Sequence, residues 1–178
     1  QPTTHNPQPT THNPQPTTHN YKNSFHYIRY SVNPIGLIEN TMLSKKTKYG
    51  LKALSFIAKK ECKDPVSISE IAKCENISQK YLESILLNLK KAGVLSSKKG
   101  KTGGYYLLKE PQDIPMSKII RVLEGPIAML PCVSLNFYEK CDDCPDEEAC
   151  SVHELMIQVR DSTLKILENT TLADYTKK

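Results

Sequence analysis

Residues 67–93 constrain this chain more than any other stretch, because their pattern admits two short helices joined by a tight turn and little else. Ser67-Ile68-Ser69-Glu70 has the S-x-x-E form of a capping box, in which Ser67 accepts from an orphan backbone N–H while Glu70 reaches back to the cap. The helix it opens, over about residues 68–74, turns Ile68, Ile71 and Ala72 inward, and Glu75-Asn76 supplies the turn. A second start follows at Ser78. Leu82, Ile85, Leu86 and Leu89 then fall at i, i+3, i+4 and i+7, one apolar stripe on a helix that Gly93 ends. Its leading end and opposite face stay polar, with Ser78, Gln79, Lys80 and Glu83. Two short helices with a polar leading end on the second form a helix-turn-helix.

The flanking segments extend this unit. Upstream, Tyr49, Leu51, Leu54, Ile57 and Ala58 lie near helical spacing from Ser44, and the run stops before Asp64-Pro65. Downstream, residues 94–97 and 105–108 are strand-like and flank Lys98-Lys99-Gly100-Lys101-Thr102-Gly103-Gly104. The glycines allow a tight turn and close approach to a phosphate backbone, and Lys98, Lys99 and Lys101 would displace counterions there. Such a hairpin after a helix-turn-helix reads as a wing, with double-stranded DNA as partner; the alternative is an ordinary lysine-rich hairpin. Charge supports the wing. Residues 42–109 hold fifteen lysines against five acidic residues, a net of +10, whereas residues 110–178 are net −6.

The acidic half contains Cys132, Cys141, Cys144 and Cys150 with spacing C-x8-C-x2-C-x5-C, and His153 three residues further on. Asp142, Asp143, Asp146, Glu147 and Glu148 around them make this a loop rather than core. Thiolates are soft ligands suited to an iron–sulfur cluster or to zinc. The absence of two well-separated C-x2-C knuckles favours the cluster over zinc, and redox-active or idle thiols are the third option. Cys150 and His153 would share one face of a starting helix. Cys62 and Cys74 stand alone and read as small, partly buried hydrophobes.

Beyond His153, the residues Val152, Leu155, Met156, Val159, Thr163, Ile166 and Leu167 form an apolar stripe on a long helix, which predicts pairing with its copy in a homodimer. The alternative is packing on its own domain. No window approaches the ~18 consecutive apolar residues of a membrane span, and no basic start precedes an apolar run, so the expected location is the cytoplasm, with no membrane partner. In that reducing compartment six cysteines argue for metal or redox chemistry rather than disulfides.

Residues 1–41 differ in character. Residues 1–20 read QPTTHNP, QPTTHNP, QPTTHN, a unit with no apolar side chain for a core and with prolines that oppose helix and sheet. His5, His12 and His19 lack companion ligands for a firm metal site. The segment is read as low-complexity and disordered, with translation beginning at Met42 and the repeat arising from tandem DNA read through in frame.

Several motifs in order resemble the Rrf2 family of bacterial winged-helix regulators, from residue 42 to about residue 175. They are Lys48-Tyr49-Gly50-Leu51-Lys52-Ala53-Leu54, Ile77-Ser78-Gln79-Lys80-Tyr81-Leu82-Glu83, Gly100-Lys101-Thr102-Gly103-Gly104-Tyr105, the cysteine loop, and Asn169-Thr170-Thr171-Leu172-Ala173-Asp174. The family includes regulators of iron–sulfur-cluster assembly, nitric-oxide sensing and cysteine metabolism. The resemblance implies that Glu83 accepts from cytosine N4, and that Lys99 stands at the family's wing arginine with its charge but without the bidentate fork. It matches Cys144 and Cys150 to the last two of the family's three cysteines and Cys132 to the first, across a longer gap, leaving Cys141 as an extra, alternative ligand. It also matches His153 to the histidine that completes the ligands of a 2Fe–2S cluster. Where the nitric-oxide-sensing branch has an acidic ligand, this chain has Lys48.

The resulting expectation is a mainly α fold with a small β wing. A winged helix-turn-helix domain spans 42–110, a connecting helix 111–131, a cluster-binding loop 132–150, and a dimerisation helix with tail 151–178. The function expected is a homodimeric DNA-binding transcriptional regulator, read as a repressor and modulated by an iron–sulfur cluster. DNA contacts fall to Ser78, Gln79, Lys80, Tyr81, Glu83, Lys98, Lys99, Lys101 and Gly103, and metal ligation to Cys132, Cys144, Cys150 and His153. One alternative keeps the DNA-binding fold and replaces the cluster with zinc, thiol redox or a partner protein. A small metalloenzyme is the remote alternative, for which no general base beside a pocket and no nucleotide loop is evident.

Overall fold

A computed structural model of the chain describes residues 43–60 and 64–177. The repeat with its three histidines, Met42 and Cys62 lie outside them. The helices are α1 (Lys45–Ala58), α2 (Ile68–Glu75), α3 (Gln79–Lys91), α4 (Met116–Leu123), α5 (Ser151–Asn169) and α6 (Leu172–Thr176). The strands β1 (Leu95–Lys98) and β2 (Gly104–Leu107) pair antiparallel. Short 3-10 turns occupy Pro111–Asp113 and Pro131–Val133. This is a winged helix-turn-helix.

The stripe on α3 carries the core. Leu82, Ile85, Leu86 and Leu89 are completely buried, together with Leu54 of α1, Ile71 of α2, and Ile119 and Leu123 of α4. Burying each such side chain stabilises the fold by roughly 1.5–3 kcal/mol before conformational entropy is set against it. The turn between α2 and α3 is made by Asn76, which adopts left-handed geometry (φ 52°, ψ 50°) that few residues other than glycine and asparagine tolerate.

The capping box expected at the start of α2 is half made. Ser67 Oγ accepts from the Glu70 backbone N–H at 3.2 Å, but Glu70 Oε1 accepts from Lys60 Nζ at 2.7 Å instead of turning back to the cap. A cation is a stronger partner for a carboxylate than a neutral amide. A complete capping box lies instead at α6, between Thr171 and Asp174.

The strands sit one residue later than residues 94–97 and one earlier than 105–108, with Leu95 opposite Leu107 and Lys98 opposite Gly104. Val66 adds a third line of pairing by exchanging hydrogen bonds of 2.9 and 2.8 Å with Tyr105. At Gly104 a Cβ would run into the Val66 carbonyl, so this close approach requires glycine.

Three further features depart from the sequence expectation. Segment 111–131 is helical only over α4, because Pro111, Pro115, Pro126 and Pro131 interrupt it. Cys74 is exposed rather than partly buried. On α5 the buried residue is Leu164, outside the expected stripe; Val152 and Leu155 are each 54 % exposed and Ile166 is 66 % exposed. Only these three members of the stripe face outward; Met156, Val159, Thr163 and Leu167 are half-buried, and Leu167 packs against the core.

The chain closes on itself beyond α5. The Met116 N–H donates to the Thr170 carbonyl at 2.8 Å, the Leu172 N–H donates to the Ile114 carbonyl at 2.9 Å, and Leu172 is completely buried. Near this closure, Glu124 at the end of α4 clamps the start of α1. It accepts from the Ser44 backbone N–H at 3.2 Å, from the Ser44 hydroxyl at 2.8 Å, and from the hydroxyl of buried Thr47. Burial opposes its charge, yet the Thr47 and Ser44 hydrogen bonds together outweigh burial and hold the carboxyl below its ordinary value. A depressed folded-state value means that the clamp's full contribution is present above the unfolded carboxyl's value and disappears as pH falls through the folded one. Urea unfolding from pH 7 downward should therefore show Glu124→Gln less stable than the parent at neutral pH, with the gap closing in acid. A gap independent of pH would assign the difference to packing.

Candidate nucleic-acid interface and thiol loop

α3 presents its leading end to solvent. Ser78 is its N-cap by backbone geometry, but its hydroxyl makes no capping hydrogen bond, and Ser78, Gln79, Lys80, Tyr81 and Glu83 are all exposed. Tyr81 is 41 % exposed yet fixed, because its ring meets Tyr49 of α1 edge to face with centroids 5.9 Å apart. An ordered aromatic on an otherwise charged helix end narrows the geometries in which a duplex could seat there.

The wing is anchored to the same helix. Lys90 Nζ donates to Ser97 Oγ at 2.6 Å, joining the last turn of α3 to β1. Burial pushes the Tyr105 phenol on β2 up, and the nearby Glu83 carboxylate adds to that shift, which places Glu83 and Tyr105 within electrostatic reach. Lys98, Lys99 and Lys101 are exposed at the tip. Gly103 donates its N–H to the Gly100 carbonyl at 3.0 Å, and a Cβ on Gly103 would strike the Lys98 carbonyl. Its first role is thus to shape the tip. The exposed polar groups of α3 and the lysines of the wing are held in one fixed relation by Tyr105 together with Val66 and Lys90, the last two of which did not stand out in the sequence. A valine beside a proline and a lysine one turn from a helix end are too common to signal it.

The cysteine loop is not all loop. Cys132 is buried in the Pro131–Val133 turn, while Cys141, Cys144 and Cys150 are half-buried. Arg160 of α5 fixes that turn by donating from Nη1 to the Val133 carbonyl at 2.7 Å. At the other end Cys150 is the N-cap of α5, and its sulfur accepts from the His153 N–H at 3.4 Å. Tyr138 spans the loop with a 2.8 Å hydrogen bond to Glu147.

The neighbouring Cys132 thiol, followed by burial, pushes the Cys141 thiol up. Burial, then the neighbouring Cys150 thiol, does the same for Cys144, whose Sγ donates to the Asp146 carbonyl at 3.3 Å. Among the described residues no three His, Cys, Asp or Glu side chains converge closely enough to hold a single ion. Four cysteines on one short loop are the soft donors that an iron–sulfur cluster takes. Cys132, Cys144, Cys150 and His153, the expected ligands, are among the groups that do not converge on a single ion in this way.

The model of the Rrf2 family, described as an iron-dependent transcriptional regulator, matches residues 43–178. An rrf2-like HTH-type transcriptional regulator of Rhodobacter capsulatus is 43% identical over 136 residues, covering 75% of this chain and 91% of that protein. The structure of CymR, the global cysteine regulator of Bacillus subtilis, superposes with a TM-score of 0.62 at 37% identity, covering 76% of this chain and 96% of CymR. T. potens IscR superposes with a TM-score of 0.60 at 34% identity, covering 78% and 88% respectively. No helix among the described residues is long and apolar enough to cross a membrane. With the wing, the helix-turn-helix and these likenesses in agreement, the chain belongs to the Rrf2 family of transcriptional regulators.

Proposed function

We propose that this regulator binds DNA as a homodimer, with residues 78–83 in the major groove and residues 98–101 on flanking phosphates, and that an iron–sulfur cluster on the cysteine loop is its signal. The observation that carries the DNA-binding geometry is the fixed relation of α3 to the wing through the Lys90–Ser97 hydrogen bond. Exposed Val152, Leu155 and Ile166 on α5 support dimerisation, because a two-fold partner would remove that apolar surface from water.

A bound cluster supplies an iron- and redox-responsive centre that changes which loop arrangement is favoured. This chain's own residues pass that preference on. Both ends of the loop are tied to α5, one through Cys150 at its N-cap and the other through Arg160 to the Val133 carbonyl. At its far end α5 leads into Thr170, whose carbonyl is bonded to Met116 at the start of α4. Loop order therefore bears on α5 and, through it, on the spacing of the two recognition helices. The coupling can be no larger than the difference in cluster affinity between the two arrangements.

A second reading, in which thiol chemistry itself is the signal, is favoured by the likeness to CymR, described as a global cysteine regulator. Anaerobic purification separates the two. A coloured protein with matched iron and sulfide is the expected result, and one that stays colourless after reconstitution would shift the signal to the thiols.

Two predictions address the DNA and dimer geometry. Lys99→Ala and Lys101→Ala should weaken binding to all sequences and each lower the log–log salt slope by about 1; an unchanged slope would remove the wing from the contact model. Leu155→Glu together with Ile166→Glu should yield a monomer in sedimentation that binds an operator-length duplex at least about tenfold more weakly, which corresponds to about 1.4 kcal/mol. A dimer that survives both changes would place the interface elsewhere.

A further inference from the structure

We propose that Tyr49 of α1, outside the helix-turn-helix, is a positioning residue for DNA binding: it fixes the Tyr81 ring so that the Tyr81 hydroxyl donates to a backbone phosphate on the α1 side of α3. This inference rests on the reading above that α3 enters the major groove, and goes beyond it by assigning what sets the helix's register there.

The two flanks of α3 are held by different neighbours. At about 100° per residue, Tyr81 and Glu83 lie about 160° apart around the helix, on either side of Lys80. Lys90 falls close to two turns beyond Glu83, on the same flank, and its bond to Ser97 puts the wing there. Tyr81 lies on the other flank, where its ring meets Tyr49 with centroids 5.9 Å apart and ring planes at 83°. A helix with its side chains is about as wide as the major groove, so its flanks face the two sugar–phosphate walls. The wing lysines lie to one side, and Tyr81 is placed to serve the other.

Tyr49 is a firm support. Its half-buried side chain packs against the core. At Gly50 beside it, a Cβ would meet Leu123 of α4 and Ile85 of α3, so α1 lies close against the recognition helix. Tyr81 is not needed inside, because Leu82, Ile85, Leu86 and Leu89 fill the core and leave it exposed. Its carbonyl accepts from Ser84 Oγ at 2.8 Å, but among the described residues nothing is hydrogen-bonded to its hydroxyl.

The ring contact matters because it acts before DNA arrives. A tyrosine has only two side-chain torsions, and the edge-to-face contact restrains them. A donor ordered in advance loses less freedom on binding than the long chains of Gln79 and Lys80. Phosphate contacts fix orientation on the duplex and carry no sequence information. A neutral hydroxyl also displaces no counterion, unlike the wing lysines. Loss of this contact therefore has its own signature: weaker binding to every sequence with the salt dependence unchanged.

The test uses the full chain and fluorescence anisotropy over a range of salt concentrations, with one duplex selected from a random pool and an unrelated duplex of the same length. Thermal melting checks that each variant is folded. Tyr81→Phe should weaken binding to both duplexes roughly tenfold with the salt slope unchanged. Tyr49→Leu, which keeps apolar bulk but removes the ring, should do the same, Tyr49→Phe should restore binding, and the double variant Tyr49→Leu/Tyr81→Phe should lose no more than Tyr81→Phe alone. Losses that add in the double variant, or a Tyr81→Phe that binds as the parent does while Lys80→Ala is weakened, would overturn the positioning role alone. Binding unaffected by both Tyr81→Phe and Lys80→Ala would overturn it together with the placement of α3 in the groove.

Discussion

Everything in this fold leans on one side of α3. Leu82, Ile85, Leu86 and Leu89 are the surfaces against which α1, α2 and α4 pack, and the same helix turns its opposite face to solvent. A polar substitution on the inner stripe would leave an unpaired group in a core that, among the described residues, has no buried side-chain polar atom without a partner. The outer face is free of that restriction. In the proposed DNA-binding geometry, sequence change for recognition is therefore confined to the leading end, where it costs the core nothing, and the wing inherits its position from the same scaffold through Lys90 and Val66.

The helix-turn-helix was legible because burial imposes a period. The stripe on α3, the cap at Ser67 and the turn at Asn76 are each written in a few adjacent residues. What escaped was set by competition between distant groups. Glu70 matched a capping pattern, but Lys60 offered it a better partner. The stripe on α5 was real, yet periodicity alone does not say which neighbour covers a face, and Leu164 beside it took the core position. Four prolines between residues 111 and 131 carried the information that α4 would be short, and they weighed less in the reading than the apolar run between them.

The cysteines illustrate a different limit. Spacing singled out the set and pointed to soft-metal chemistry as an expectation, and resemblance favoured three of them with His153. The burial of Cys132 goes with the Pro131–Val133 turn, which is fastened by Arg160, twenty-seven residues from Val133 in sequence. No local pattern around Cys132 announces such a fastening. A loop that looked solvated from its composition is therefore anchored at both margins to one helix.

The pairing of residues 114–116 with 170–172 has a consequence for how the molecule is made. Leu172 fills the core beside α1, so the DNA-binding half is not finished when the wing has been synthesised. Its packing waits for the acidic half and the whole of α5 to be translated. During that interval the apolar groove meant for Leu172 is open to water, and long-range closure of this kind folds late and slowly. A ribosome that stops within α5 would release a basic domain with its recognition helix present but its core unsealed, a species for proteases rather than for promoters.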